Sequence, residues 1–168
     1  MKVSGKAVVY GDDVNTDVII PSKFLTLLDP TELSKHAMEG IDPKFVEKAK
    51  NGVVLVAAKN FGCGSSREQA PLALKYAGVK CVVAESFARI FYRNAINIGL
   101  PVLECPDASS QIEEGDLLSI NLDEGLIVNE TNKRVIKATK LPGFILEILQ
   151  DGGLIAHIKK KGGKIRDL

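Results

Sequence analysis

The feature that most constrains the fold is a central block in which apolar runs alternate with helical stretches. Residues 53–58, 81–84 and 102–104 are apolar runs, of the kind typical of strands that are covered on both faces. Residues 67–76 and 86–97 lie between these runs and have the character of helices. A strand–helix–strand–helix–strand order predicts a parallel βαβαβ sheet with right-handed crossovers.

The flanking residues predict shorter elements. On the amino-terminal side we expect a strand, an apolar stretch that Pro21 ends and two short helices, at residues 6–10, 18–21, 29–38 and 43–50. On the carboxyl-terminal side we expect an antiparallel meander and a final helix, at residues 117–121, 126–129, 134–139 and 143–150. The 168 residues contain no long linker, so the sequence predicts a single α/β domain, residues 1–168, with an antiparallel β extension.

The charge balance bears on the kind of partner. Lys and Arg number 22 and Asp and Glu number 21, which gives a net charge of +1 and argues against a nucleic-acid partner. The basic end of the chain is predicted to be a solvated tail, comprising Lys159, Lys160, Lys161, Lys164 and Arg166. No apolar run approaches the roughly 20 residues of a membrane span, and the amino terminus does not resemble a signal peptide.

The cysteines are three in number and widely spaced, at Cys63, Cys81 and Cys105. An odd number of cysteines cannot all pair within one chain, so a reducing cytoplasm is expected. Protein-bound iron–sulfur clusters usually use closely spaced cysteines. We therefore expect no cluster, and no other metal site, within this chain.

A glycine-rich segment, Phe-Gly-Cys-Gly-Ser-Ser-Arg-Glu at residues 61–68, lies between a predicted buried strand and a predicted helix. Glycines such as Gly64 let the backbone turn sharply and let a ligand approach closely. The amino end of a helix attracts anions, and the planar fork of Arg67 suits a carboxylate. Since Ser65 and Ser66 add two hydroxyls, the segment predicts an anion site for a carboxylate or a phosphate.

Other interpretations of this segment compete. Ser65 and Glu68 have the spacing of a capping box, so Ser65 would then only cap the helix, as Ser86 is predicted to cap the next one. A dinucleotide-binding motif is disfavoured here, because Arg67 stands where its third glycine would be. A Walker phosphate loop is excluded, because no Gly-Lys-Ser/Thr follows the glycines. A binding module without catalysis, which senses an anion or binds RNA, is a further alternative.

Four separated segments together resemble one family. Residues 60–68, 85–95, 11–21 and 154–160 resemble the small subunits of isopropylmalate isomerases in the aconitase superfamily. The same pattern marks the small subunits of homoaconitases and the swivelling domain of aconitase. The resemblance implies a swivelling β/β/α domain and a hydro-lyase that interconverts 2- and 3-isopropylmalate, by removing and re-adding water, in leucine biosynthesis.

The resemblance also implies a division of labour. A large subunit would carry a [4Fe-4S] cluster, and this chain would close the site on a small hydroxy-dicarboxylate without a cofactor of its own. Ser65 would be the base, and Gly64, Ser66 and Arg67 would bind the substrate carboxylate. Asp17 and Arg89 would support these groups from behind, although an Asx turn at Asp17 and a solvated Arg89 are equally open. The two histidines, His36 and His157, are interpreted as surface or packing residues.

Substrate choice is predicted to depend on residues 24–27, Phe-Leu-Thr-Leu. Family members of the homoaconitase type carry arginine at the position of Thr26, where it pairs with an extra carboxylate. Thr26 and Leu27 are predicted to contact an isopropyl group instead, because burying an unpaired carboxylate there would be costly. This segment departs from the Tyr-Leu-Val-Tyr expected for isopropylmalate, so dimethylmalate, citraconate-type and homoaconitase substrates stay open.

Overall fold

The computed structural model describes residues 1–162, which form one mixed sheet in the order β4-β3-β2-β1-β5-β6-β7. The strands are β1 Lys2–Val9, β2 Val53–Ala57, β3 Val79–Ala84, β4 Val102–Glu104, β5 Leu117–Asn121, β6 Leu126–Asn129 and β7 Arg134–Lys137. The strands from β1 to β4 are parallel, and β5, β6 and β7 add antiparallel pairs. The predicted parallel core and antiparallel extension are confirmed.

The first strand begins earlier than predicted. Its amino-terminal part pairs antiparallel with β5, with Ser4 opposite Ser119, and its later part pairs parallel with β2, with Lys6 opposite Val53. Residues 2–6 alternate between exposed and half-buried. The prediction missed this part because a strand with one open face has no continuous apolar run.

The helices are α1 Thr16–Ile19, α2 Pro30–Ser34, α3 Phe45–Ala49, α4 Gln69–Ala77, α5 Arg89–Asn97, α6 Ala108–Gln111, α7 Gly143–Gln150 and α8 Leu154–Lys160. A single 3-10 turn, Ser22–Phe24, follows α1. The predicted helix 29–38 was too long, because α2 ends at Ser34 and Met38 has a left-handed φ of 60°. Helices α1, α6 and α8 were not predicted.

Two predicted helix starts are wrong. Helix α5 begins at Arg89 rather than at Ser86, and the hydroxyl of Ser86 accepts a hydrogen bond from the amide N–H of Asn60 at 2.9 Å instead of capping the helix. Helix α4 begins at Gln69, which places Pro71 in its first turn, where a missing N–H costs nothing.

The apolar residues form a core on each face of the sheet. Alternate residues of β2 point to opposite faces, so that Leu55 packs with α1 to α5 and Val56 packs with α6, α7 and the antiparallel strands. Both residues are fully buried. The continuous apolar run at residues 53–58 predicted a strand covered on both faces, and β2 confirms this.

The described part of the basic end is exposed, as predicted, but it begins within helix α8 and forms ion pairs. Lys161 pairs with Glu147 at 2.9 Å, and Lys160 pairs with Asp151, which also accepts from His157. These pairs link α8 to α7, and the side chains of Lys159, Lys160 and Lys161 are all exposed. Lys164 and Arg166 lie outside the described residues.

Candidate functional site

The carboxyl ends of β1, β2 and β3 meet at one edge of the sheet, and the segments that follow them lie side by side. The amide of Ala58 donates to the carbonyl of Gly11 at 3.2 Å, and the amide of Glu85 donates to Ala58 at 3.1 Å. In parallel sheets ligands bind at this carboxyl edge. Because residues 60–68 directly follow β2, the predicted anion site lies there.

Residues 60–64 are held between the two neighbouring segments. On one side, Phe61 donates to the carbonyl of Ser86 at 3.0 Å and accepts from Ala88 at 2.9 Å. On the other side, the amide of Gly62 donates to Val14 at 2.8 Å. Backbone hydrogen bonds therefore fix the loop on both sides, and Nδ2 of Asn60 adds a side-chain hydrogen bond to Oδ1 of Asp13 at 2.8 Å.

Gly62 is required by space as well as by conformation. Its φ is +79°, and a Cβ atom would lie 2.2 Å from Cγ of Phe91. The Phe91 ring packs edge-on against Phe61, with 5.1 Å between the centroids. Any side chain at Gly62 would push this buried aromatic pair aside.

Ser65 and Ser66 are exposed, and Gly64 before them has a φ of +97°. The cap position of α4 is Glu68, without a side-chain hydrogen bond, so the capping-box interpretation of Ser65 is wrong. The carbonyl of Ser65 accepts from Oγ1 of Thr16 at 3.1 Å. The backbone of Ser65 is thus anchored while its side chain faces outward.

Arg67 and Asp17 come together as an ion pair. Nη1 of Arg67 lies 2.6 Å from Oδ1 of Asp17 and also donates to the carbonyl of Ile20 at 3.2 Å. The side chain of Arg67 is 12% exposed and that of Asp17 is 64% exposed. The local cap is made by Asn15, whose Oδ1 accepts from Val18 at 3.0 Å, so the Asx-type role does not belong to Asp17.

The predicted specificity segment forms the loop between α1 and α2. Thr26 is exposed and Leu28 is 94% exposed, whereas Leu25 and Leu27 are half-buried against the core. Leu28, at the end of the predicted specificity loop, thus presents an apolar side chain to solvent. Phe24 stacks on His36, with 3.6 Å between the ring centroids and 10° between the planes.

The remaining predicted residues lie nearby or elsewhere. Arg89 is the first residue of α5 and directly follows the segment that forms hydrogen bonds with Phe61. Arg89 and Arg93 are both exposed. Arg89 makes none of the ion pairs within residues 1–162. His36 bonds to Glu39 at 2.6 Å and His157 to Asp151 at 2.7 Å, and both are half-buried. Their interpretation as surface or packing residues is in keeping with these contacts.

The thiols are held in the protonated form. Burial, together with the carboxylate of Asp13, raises the pKa of Cys63, and burial raises the pKa values of Cys81 and Cys105. Within residues 1–162, no three or more His, Cys, Asp or Glu side chains are grouped to hold a metal ion. In the same range, the helices are too short or too polar to cross a membrane.

Comparison with known proteins gives matches over nearly the whole chain. Residues 2–108 match the family described as the aconitase C-terminal domain. The chain is 58% identical over 159 residues to the 3-isopropylmalate dehydratase small subunit of Halothermothrix orenii, covering 95% of this chain and 96% of that one. It is 53% identical over 159 residues to the isopropylmalate/citramalate isomerase small subunit of Methanocaldococcus jannaschii, covering 95% of each.

A solved structure matches as well. The crystal structure of 3-isopropylmalate dehydratase from Methanocaldococcus jannaschii superposes with a TM-score of 0.91 at 49% identity, over 96% of each chain. The likeness therefore covers both the parallel and the antiparallel parts of the sheet. It confirms the predicted fold class.

Proposed function

We propose that this chain, which belongs to the aconitase C-terminal domain family and is a small subunit of the 3-isopropylmalate dehydratase group, supplies the base of a hydro-lyase. The enzyme interconverts 2- and 3-isopropylmalate by removing water and adding it back. In our proposal Ser65 removes the proton from the carbon next to a substrate carboxylate. Ser66 and Arg67 bind that carboxylate with their side chains, and Gly64, which has no side chain, lets it approach the loop closely.

One observation supports this assignment above the others, namely that the Ser65 side chain is exposed while its backbone is fixed. A catalytic group must be held in place by its surroundings and yet reach the substrate. The hydrogen bonds of Gly62 and of the Ser65 carbonyl meet the first condition. Exposure at the carboxyl edge of the sheet meets the second.

A serine hydroxyl is a very weak acid and needs help to act as a base. Fixed amide N–H groups and nearby cations lower the energy of an alkoxide, as they do for an oxyanion. Here the loop amides around Ser65 and the guanidinium of Arg67 are the groups in this chain that provide such an environment. The proton that Ser65 takes in the dehydration step is returned when water is added back.

The ion pair with Asp17 suits the role that we propose for Arg67. The contacts with Asp17 and Ile20 both use Nη1, and a guanidinium has further N–H donors in the same plane. Asp17 thus orients the fork, and the remaining donors suit a substrate carboxylate. Arg89, exposed at the start of α5, would support the site from the neighbouring segment.

The partner would be a large subunit, as the names of the small-subunit relatives imply. We propose that this partner carries the [4Fe-4S] cluster, as the resemblance to the isopropylmalate isomerases implies. The cluster would supply Lewis-acid chemistry at the departing hydroxyl. Three free thiols fit a reducing cytoplasm, where we propose that the complex works.

The proposed substrate is isopropylmalate, with citramalate second, because one close relative is named for both. Thr26 and Leu27 remain the proposed contacts to the variable substituent. The half-buried Leu27 would form part of an apolar surface that contacts the substituent, and the exposed Leu28 would extend this surface. A substrate with an additional carboxylate would meet no arginine at Thr26.

The test is a substrate panel on the chain alone and on its complex with the cognate large subunit. We expect no conversion by the isolated chain, and a kcat/KM for 2-isopropylmalate above those for citramalate and dimethylmalate in the complex. Strong activity of the isolated chain would contradict the division of labour. Preference for a homoaconitase substrate would favour that alternative, and RNA binding at physiological salt would favour a binding module.

A further inference from the structure

Thr16, at the start of α1, contacts the serine loop in two ways. Its amide N–H donates to the carbonyl of Cys63 at 2.8 Å, and its Oγ1 donates to the carbonyl of Ser65 at 3.1 Å. Thr16 is 2% exposed and is one of four buried polar or charged residues in the part of the chain that the structure describes. A single buried residue thus binds two alternate carbonyls of the loop.

The direction of these carbonyls fixes the direction of two amides. In a planar trans peptide the N–H points opposite to the C=O, and residues 1–162 contain no cis peptide bond. Because the Cys63 and Ser65 carbonyls point toward Thr16, the N–H groups of Gly64 and Ser66 point away from it. Both of these residues are exposed. The two amides that flank Ser65 therefore face the open side of the loop.

Gly64 lies between the two carbonyls that Thr16 binds. A Cβ atom at Gly64 would lie 3.3 Å from Oγ1 of Thr16, which is a tight contact. The φ of +97° is also unfavourable for residues other than glycine. Thr16 and Gly64 therefore fit one another, since a side chain at Gly64 would crowd the hydroxyl that binds the Ser65 carbonyl.

We propose that Thr16 is a positioning residue for Ser65, which turns the amides of Gly64 and Ser66 toward the charge that develops on the serine. The inference rests on the proposed function of Ser65 as the base. Thr16 itself is buried behind the loop, and it acts through the backbone. Its hydroxyl fixes the peptide plane after Ser65, and its own amide fixes the plane before Gly64.

The central variant is Thr16→Val, which keeps the side-chain shape and the backbone amide but removes the hydroxyl. In the complex we expect kcat to fall by about tenfold to a hundredfold, since the Ser65 carbonyl loses the donor that orients it, while KM changes less than about threefold. The pH profile of kcat should shift to higher pH, because a less stabilised alkoxide forms only at higher pH. Thr16→Ser restores the hydroxyl and should recover most of the rate.

A second readout does not depend on activity. In the full chain alone, ¹⁵N relaxation should report order parameters of roughly 0.85 for the amides of Gly64 and Ser66, falling toward about 0.6 in Thr16→Val but not in Thr16→Ser. Ser34→Ala is the matched control. Ser34 is also buried, and its Oγ donates to the carbonyl of Thr31 at 2.8 Å, within α2 and away from the loop.

The outcomes separate the two proposals. If Ser65→Ala abolishes turnover but Thr16→Val keeps kcat within twofold with an unchanged pH profile, Thr16 is not a positioning residue and the base stands. If Ser65→Ala stays active, both proposals are overturned. If Thr16→Val and Ser34→Ala lower kcat equally and neither shifts the pH profile, Thr16 contributes only to stability. Thr16→Ala replaces the valine variant if the latter does not fold.

Discussion

Two loops carry the candidate residues, and they are attached in different ways. The serine loop, residues 60–68, is held by backbone hydrogen bonds to both neighbouring segments, at Val14 and at Ser86. The specificity loop, residues 24–28, rests on side-chain contacts, since Phe24 stacks on His36 and Leu25 and Leu27 pack against the core. The backbone hydrogen bonds persist through most side-chain changes as long as Gly62, Gly64 and Thr16 remain, whereas side-chain attachment changes with single substitutions. Under the roles that we propose for the two loops, the chemistry can stay constant while the selectivity varies.

The side-chain attachment of the specificity loop centres on His36. The ring of Phe24 stacks on His36, and His36 bonds to Glu39, an interaction that lowers the pKa of the glutamate. Lys23 lies 4.7 Å from the centroid of Phe24 and 3.6 Å from Oε1 of Glu39. These contacts are partly exposed and individually weak, so we expect the loop to adapt more readily than the serine loop does.

The sharpest contrast between the loops is expected from Ser65→Ala. This change removes the proposed base without touching the backbone attachment, so kcat in the complex should fall by at least about a thousandfold while substrate binding survives. Steady-state kinetics and a binding titration measure the two effects. Ser110→Ala, which removes an exposed hydroxyl on α6, is the control. A loss smaller than tenfold would show that Ser65 is not the base.

The rigidity of the serine loop is tested by Gly62→Ala. The added Cβ meets the Phe91 ring and the φ is positive, so the free energy of unfolding should fall by about 2–4 kcal/mol. Denaturant unfolding of the isolated chain measures this. Gly11→Ala is the matched control, since a Cβ there meets nothing within 4 Å. If the two variants have equal free energies of unfolding, the loop accommodates the added Cβ by a small shift and is not rigid.

The assignment of selectivity to the other loop is tested by Thr26→Arg. A cation at this exposed position should raise kcat/KM for homoaconitase-type tricarboxylates relative to 2-isopropylmalate by about tenfold, as one additional charged contact would. Thr26→Gln, which is long but neutral, should leave the ratio unchanged. If arginine has no effect either, the loop does not set specificity.

The smallest effect is expected at His36. His36→Ala removes the stacking partner of Phe24, and since an aromatic pair contributes about 0.5–1.5 kcal/mol, KM for 2-isopropylmalate should rise about two- to tenfold with little change in kcat. His36→Phe keeps the stack and loses the contact with Glu39, so it should stay close to wild type. If KM rises more in His36→Phe than in His36→Ala, the contact of His36 with Glu39 anchors the loop rather than the ring stacking.

The parallel core and the meander could be predicted because buried strands and turns leave strong local patterns, as at residues 53–58. Helices α1, α6 and α8 could not, because helices of 4 to 7 residues are stabilised by packing rather than by their own sequence. The capping roles of Ser65 and Ser86 were wrong for a related reason. The backbone pairing of Phe61 with Phe87 extends the sheet edge and delays the start of α5.

The candidate site was predictable in its composition but not in its connections. The residues of the serine loop could be named from the motif, and Arg67 does lie beside Asp17. Thr16 could not be singled out, because its two contacts with the loop span 47 and 49 positions of sequence and exist only once β1 and β2 are paired. The exposure of Leu28 could not be predicted, because the burial of a loop residue has no sequence period.

The position of β7 has a practical consequence. Every residue to which we assign chemistry or selectivity precedes position 90, whereas β7 is the outermost strand on the other side of β1, and its connecting turn at Asn132 and Lys133 is exposed. Exposed turns of this kind commonly accept inserted segments. A label, an affinity handle or a tether to a surface would therefore be best introduced at this turn.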